Sequence, residues 1–115
     1  MLVTTAVTGF LAVALGAFGA HALRETLEKT QHLETWKTAV QYHLAHAVAL
    51  LAVALAGPAW RRTAWCWMGG VLLFSGSLYL LAVTGIKWLG AVTPFGGLLL
   101  LAGWVMLLLP QKNRA

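Results

Sequence analysis

The chain has 115 residues, 60% of them hydrophobic and 10% charged, with eight Lys or Arg against three carboxylates. An ordinary soluble domain carries roughly 25% charged residues, and so few charged side chains cannot cover the surface of a fold this small, so a soluble globule is excluded and lipid is the solvent for most of the chain. One cysteine and no Asp exclude a disulfide framework, a cysteine-rich zinc site and a calcium loop, and the net charge of +5 is spread along the flanks of apolar runs, without the one-sided clustering that nucleic acid requires.

Hydropathy divides the sequence into four apolar blocks, at about 2–23, 39–57, 63–84 and 88–109. Each is long enough to cross a hydrocarbon core of about 30 Å as a helix whose backbone groups bond internally. The first block imitates a secretory signal at Ala20, His21 and Ala22. It has no Lys or Arg before it, however, and it exceeds the usual apolar core of such a signal, so a permanent helix is expected. Residues 24–38 hold every carboxylate of the chain. Leu23, Leu27, Leu33, Trp36 and Val40 recur there at helical spacing, and Glu25 precedes Lys29 by four, which describes an amphipathic helix at the membrane surface. Gly57-Pro58 and Arg61-Arg62 mark the second connection, and a tight third follows Gly85. In the last block either Pro94 kinks a helix begun at Trp88, or Thr93 caps a shorter helix whose first residue is Pro94.

With both termini on one side of the membrane, that side holds Arg61, Arg62, Lys112 and Arg114, and the other holds Arg24, Lys29, Lys37 and Lys87. The count ties. The terminal amine and the compact Arg61-Arg62 pair favour cytoplasmic termini.

Small residues recur seven apart, as Gly9 and Gly16, Ala45 and Ala52, Gly69 and Gly76, and Gly96 and Gly103. Helices in lipid associate through close packing at such residues, and a seven-residue period favours left-handed crossings. Gly16, Gly76 and Gly103 are therefore expected at helix contacts. Ser75 and Ser77 are expected to bond within their helix or across to a neighbour; neither lies in a nucleophile motif. Trp60, Trp65, Trp88 and Trp104 lie near block ends and read as interface anchors.

The buried polar groups concentrate where the first span ends and the second begins: His21, Glu25, Gln41, Tyr42, His43 and His46. Adjacent antiparallel helices bring these two ends together, and His46 lies roughly 10 Å along the second span at 1.5 Å per residue. An ionisable group at that depth is a candidate functional site. Four readings fit: a proton relay, a transition-metal site, haem held by His21 and His46, or a hydrogen bond that fixes two helices in register.

The runs GAFGAHAL at 16–23, YHLAH at 42–46, FSGSLY at 74–79 and VTPFGG at 92–97, with Ala102, Gly103 and Trp104, together resemble the small four-helix membrane proteins catalogued as domain of unknown function 423, whose animal relatives are called transmembrane protein 256. The resemblance covers nearly the whole chain. It implies four spans in the bacterial inner membrane and implies no activity. Its motif residues fall on Gly16, Gly19, His21, Tyr42, His46, Ser75, Gly76, Ser77, Tyr79, Thr93, Pro94, Gly96 and Gly97. Members of the family tend to carry Gln where this chain has His43, which weakens any metal scheme needing both His43 and His46. The expectation is thus one all-α domain over 1–115, an antiparallel bundle of four transmembrane helices with an amphipathic connection between the first two. It is expected to be no enzyme, to hold no metal or cofactor, and to serve as a structural or accessory component of a membrane assembly, with copies of itself or other proteins. A proton, ion or solute pathway through His21 and His46, and haem or metal binding, are the alternatives.

Overall fold

The computed structural model describes residues 1–109; Lys112 and Arg114, counted above among the flanking cations, lie outside the described residues. Five α-helices follow in order: α1 (Leu2–Ala20), α2 (Arg24–Lys29), α3 (Leu33–Ala56), α4 (Arg61–Thr84) and α5 (Thr93–Leu108). Tight 3-10 turns at Pro58–Trp60 and Lys87–Ala91 precede α4 and α5, and there is no strand among the described residues. Four helical stretches, Leu2–Ala20, Leu33–Ala56, Pro58–Thr84 and Lys87–Leu108, the last two counted with their 3-10 turns, are long and apolar enough to cross a membrane.

The boundaries correct the hydropathy blocks in three places, the third being the start of α5 at Thr93, five residues into the last block. α1 stops at Ala20, three residues early, where the His21 and Leu23 amides turn back onto the Phe18 carbonyl. α3 starts at Leu33, six residues before the second apolar block, because a helix does not end where hydrocarbon ends; its first turns carry Glu34 and Lys37 into the interface. The amphipathic connection is short: α2 buries Leu27 and keeps the Arg24–Glu28 and Glu25–Lys29 pairs outside. Gln31, at φ 63°, then reverses the chain. At the other end α4 terminates on Gly85 in the left-handed region, its amide bonding to the Leu81 carbonyl at 2.7 Å.

Of the two alternatives for Pro94, the shorter helix is observed. Pro94 sits in the first turn of α5, where its missing N–H leaves no bond unmade. Thr93 does not cap that helix; its hydroxyl turns to Ser77. Sixteen residues rise only about 24 Å at 1.5 Å each, short of a hydrocarbon core, and the 3-10 turn before them supplies the remaining length.

Consecutive spans pack antiparallel, α1 on α3, α3 on α4 and α4 on α5, with the last contact the most extensive. Neither α1 with α4 nor α3 with α5 packs along its length, so the bundle is open and flattened, with extents of 51 × 26 × 17 Å. Two apolar clusters form. One joins Leu27, Trp36 and Ala82 near α2, and the other joins Leu50, Val53, Trp67, Val71 and Leu100 toward the opposite end. Large apolar side chains such as Leu72, Phe10 and Leu98 stay exposed, as lipid-facing positions should.

The seam between α4 and α5 departs from the expected one. On α5 it runs through Gly96, Leu100 and Gly103, but on α4 it runs through Trp67, Gly70 and Phe74, one position round from Gly69 and Gly76. A Cβ on Gly96 would strike the Phe74 amide, and one on Gly70 would lie 2.9 Å from the Leu100 nitrogen. Gly76 has nothing within 4 Å, so it is not at a close helix contact, and the same holds for Gly9. Gly16 lies against Val40, Gly19 and Gly103 against the indoles of Trp36 and Trp67, and Gly97 more loosely against Phe74, whereas Pro94 is exposed.

Candidate functional site

The long α3 sits between α1 and α4 and carries both buried imidazoles. His43 and His46, a little less than one turn apart, are 5% and 6% exposed, yet they serve different neighbours. His43 reaches the Thr8 carbonyl of α1 through Nε2 at 2.9 Å and the Tyr79 hydroxyl of α4 through Nδ1 at 2.8 Å. A carbonyl only accepts, so Nε2 carries the proton, and in the neutral ring Nδ1 then accepts from Tyr79. His46 shows the opposite tautomer. The indole Nε1–H of Trp104 can only donate and lies 3.0 Å from Nε2, so Nδ1 carries the proton and donates to the Tyr42 carbonyl at 2.8 Å.

Aromatic rings close around both. Trp67 and Trp104 meet His46 edge-on, each at a centroid distance of 5.9 Å, and pack on each other at 4.7 Å. Tyr79 meets His43 on one side and Trp36 on the other. Further buried donors bridge the same helices. Trp36 donates to the Leu15 carbonyl at 2.9 Å, Trp67 to the Leu100 carbonyl at 3.1 Å and Ser75 to the Ala39 carbonyl at 2.7 Å, while Ser77 and Thr93 share a hydrogen bond at 2.6 Å. Every packed pair of spans thus carries at least one polar bridge in addition to its apolar contacts. A bridge of this kind fixes rotation and register, because sliding one helix by a residue strands a buried donor.

Of the residues expected to form one site, only Tyr42 and His46 are brought into contact. His21 lies exposed just beyond the end of α1, with no side-chain hydrogen bond among the described residues, because the helix that would have aimed it at α3 has already ended. Glu25 is exposed and pairs with Lys29 at 3.4 Å. Gln41 faces outward, and Tyr42 lies over Phe74 at 4.7 Å while its carbonyl serves His46. His46 turns to α4 and α5, away from α1, so a shared His21–His46 site is not formed. Among the described residues no three His, Cys, Asp or Glu side chains group as metal ligands would. Sequence reasoning missed Thr8, Tyr79, Trp67 and Trp104 as partners. Tyr79 stood inside a motif already singled out, whereas Trp104 was assigned to the interface and instead bonds a buried histidine.

The arrangement as described accounts for a rigid, hydrogen-bonded membrane bundle, and comparison with known proteins gives it a family. The model of the family described as protein of unknown function DUF423 matches residues 15–97. The chain belongs to the DUF423 family. It is 45% identical over 112 residues to the UPF0382 membrane protein YwdK of Bacillus subtilis, covering 92% of this chain and 90% of that one. It is 43% identical over 110 residues to a UPF0382 membrane protein of Haemophilus influenzae, covering 92% and 88%. To the UPF0382 inner membrane protein YgdD of Escherichia coli it is 40% identical over 114 residues, covering 94% and 86%. No solved structure matches. These relatives carry the names of membrane proteins, the Escherichia coli one of an inner membrane protein, and this DUF423 chain, with its four membrane-crossing stretches, is a multi-pass protein of the bacterial inner membrane; its family is an uncharacterised one to which no enzyme activity is attached. The matched segment contains His21, His43, His46 and Tyr79 and ends before Trp104.

Proposed function

We propose that this DUF423 protein is a non-catalytic accessory component of a membrane assembly, presenting a fixed set of helix faces to a neighbouring protein. The observation that supports this reading is that all four ring nitrogens of His43 and His46 are already engaged by groups of the protein itself. A metal or haem ligand must offer a free nitrogen lone pair, and a relay must meet water or another acid on each side. Neither imidazole does. The openness of the fold supports the second half of the reading. α1 packs along only one other span, and apolar grooves of about 460 and 470 Å³ flank it.

Two measurements test the proposal. Purified protein in sealed vesicles with an internal pH dye should pass no more protons than protein-free vesicles, and its spectrum should show no band near 400 nm. Mild extraction from native membranes should give a particle several times larger than the 12.3 kDa chain, with a second protein in fixed ratio. A proton flux lost in His43→Leu would replace the accessory role with a conducting one. A monomer in native extracts would remove the assembly.

A further inference from the structure

At the end of the molecule that carries α2, a recess of about 210 Å³ opens between the last turns of α1 and the first turns of α3. Its walls include Gly16, Ala20 and Val40, and its rim carries Arg24, Lys37 and Gln41. The recess exists because α1 offers only small residues there. Its position is set by the chain: α1 leaves the hydrocarbon at Ala20, and Lys37 stands in the early turns of α3, so the apolar walls lie at acyl depth and the cations at headgroup depth.

All three carboxylates of the chain are near this end, yet none lines the recess. Glu28 accepts Arg24 Nε at 3.0 Å, which leaves both terminal amino groups of the guanidinium uncommitted among the described residues. Glu34 and Lys37 meet at 3.6 Å with both side chains largely exposed. Exposed pairs of this kind contribute little and give way to a better partner. Glu25 and Lys29 pair with each other on the outer face. The lining is therefore cationic and amide-bearing at the mouth and apolar within, which is complementary to an acidic amphiphile.

We propose that this recess binds one anionic phospholipid of the surrounding leaflet, its phosphate held between Arg24 and Lys37 and the start of an acyl chain lying against Gly16, Ala20 and Val40. A guanidinium presents paired donors that match two phosphate oxygens, and the ammonium adds a second charge without needing fixed geometry. Gln41, just below the cations, is placed for the ester carbonyl beneath the phosphate. A free phosphate ion would use the rim and leave the apolar walls unfilled.

The test is native mass spectrometry of the full chain in non-ionic detergent, offered equal amounts of dioleoylphosphatidylglycerol and dioleoylphosphatidylcholine. The wild type should retain one phosphatidylglycerol in preference. A cation that meets the lipid phosphate contributes about a fivefold gain in affinity, so Arg24→Gln with Lys37→Gln should lose about 25-fold and abolish the preference. Lys29→Gln removes one positive charge from α2, as Arg24→Gln does, but not from the rim, and should change nothing. Ala20→Phe fills the recess with both cations intact and should reduce lipid retention. The proposal is overturned if the wild type holds both lipids alike, if the double variant keeps its preference, or if Lys29→Gln matches the double variant. Unchanged retention in Ala20→Phe, or displacement of the lipid by an equal concentration of inorganic phosphate, would equally overturn it by reducing the site to surface charge.

Discussion

Trp104 and His46 illustrate how a single donor decides a buried site. Trp104→Phe keeps an aromatic ring against His46 and Trp67 but removes the N–H that His46 Nε2 accepts, leaving a buried acceptor unsatisfied; thermal unfolding in detergent should show a loss of about 1–3 kcal/mol. His46→Gln retains both an acceptor and a donor and should be tolerated, whereas His46→Leu orphans the Trp104 indole. The two sites touch, so His46→Leu and Trp104→Phe should be non-additive by about 0.5–3 kcal/mol in a double-mutant cycle; strict additivity would mean that the bond is not made. Thr63 gives the opposite case. It is 1% exposed and its hydroxyl has no hydrogen-bond partner among the described residues, so Thr63→Val should be neutral or stabilising, and a clear loss would reveal an unseen partner. The presence of buried histidines was legible from the sequence, because an ionisable residue within an apolar run must be inside something. Their partners were not. Depth follows from counting residues, but azimuth depends on which helix lies on which side, and His21 and His46 agreed in depth while facing different surroundings.

At the scale of helices, the spans follow from hydropathy because lipid demands long apolar segments with internal backbone bonds. Their ends do not follow, since the same signal cannot distinguish a helix that stops from one that continues into the headgroups, as α3 does through Glu34 and Lys37. The small-residue period identified the α5 side of its contact with α4 and misplaced the α4 side by one residue, because Gly69 and Gly70 are adjacent and only the neighbour's position chooses between them. Four substitutions separate the two faces. Gly96→Ala forces a methyl against the backbone of α4, which cannot yield, and should cost the most, above the usual 1–3 kcal/mol of overpacking. Gly103→Ala and Gly19→Ala press on indoles whose N–H groups are committed to the Leu100 and Leu15 carbonyls, and should cost about 1–3 kcal/mol each. Gly76→Ala meets open space and should be neutral or slightly stabilising through better helix propensity. Equal losses at Gly76 and Gly96 would contradict the observed rotation of α4.

For the whole molecule, four crossings place both termini on one side, and the remaining question is which. Lys and Arg near span ends set orientation while carboxylates as a class weigh little, and by that count the two ends are equal. The structure separates them by pairing. Arg24, Lys29 and Lys37 each stand beside a carboxylate of their own segment, at 3.0, 3.4 and 3.6 Å, so that end carries its cations dispersed among acidic side chains. Arg61 and Arg62 have no ion pair among the described residues and stand together at the start of α4. They should therefore remain cytoplasmic, and the termini with them. A fluorescent protein fused after Ala115 should be bright and an alkaline phosphatase fused there inactive, whereas Arg61→Gln with Arg62→Gln should shift a measurable fraction of molecules to the reverse pattern. An active phosphatase on the wild-type chain would invert the assignment. The consequence reaches the lipid site, because cytoplasmic termini place Arg24 and Lys37 in the outer leaflet of the inner membrane, where the phosphate they hold must come from an anionic lipid of that leaflet. Inversion would leave the chemistry of the recess unchanged and move its lipid supply to the inner leaflet.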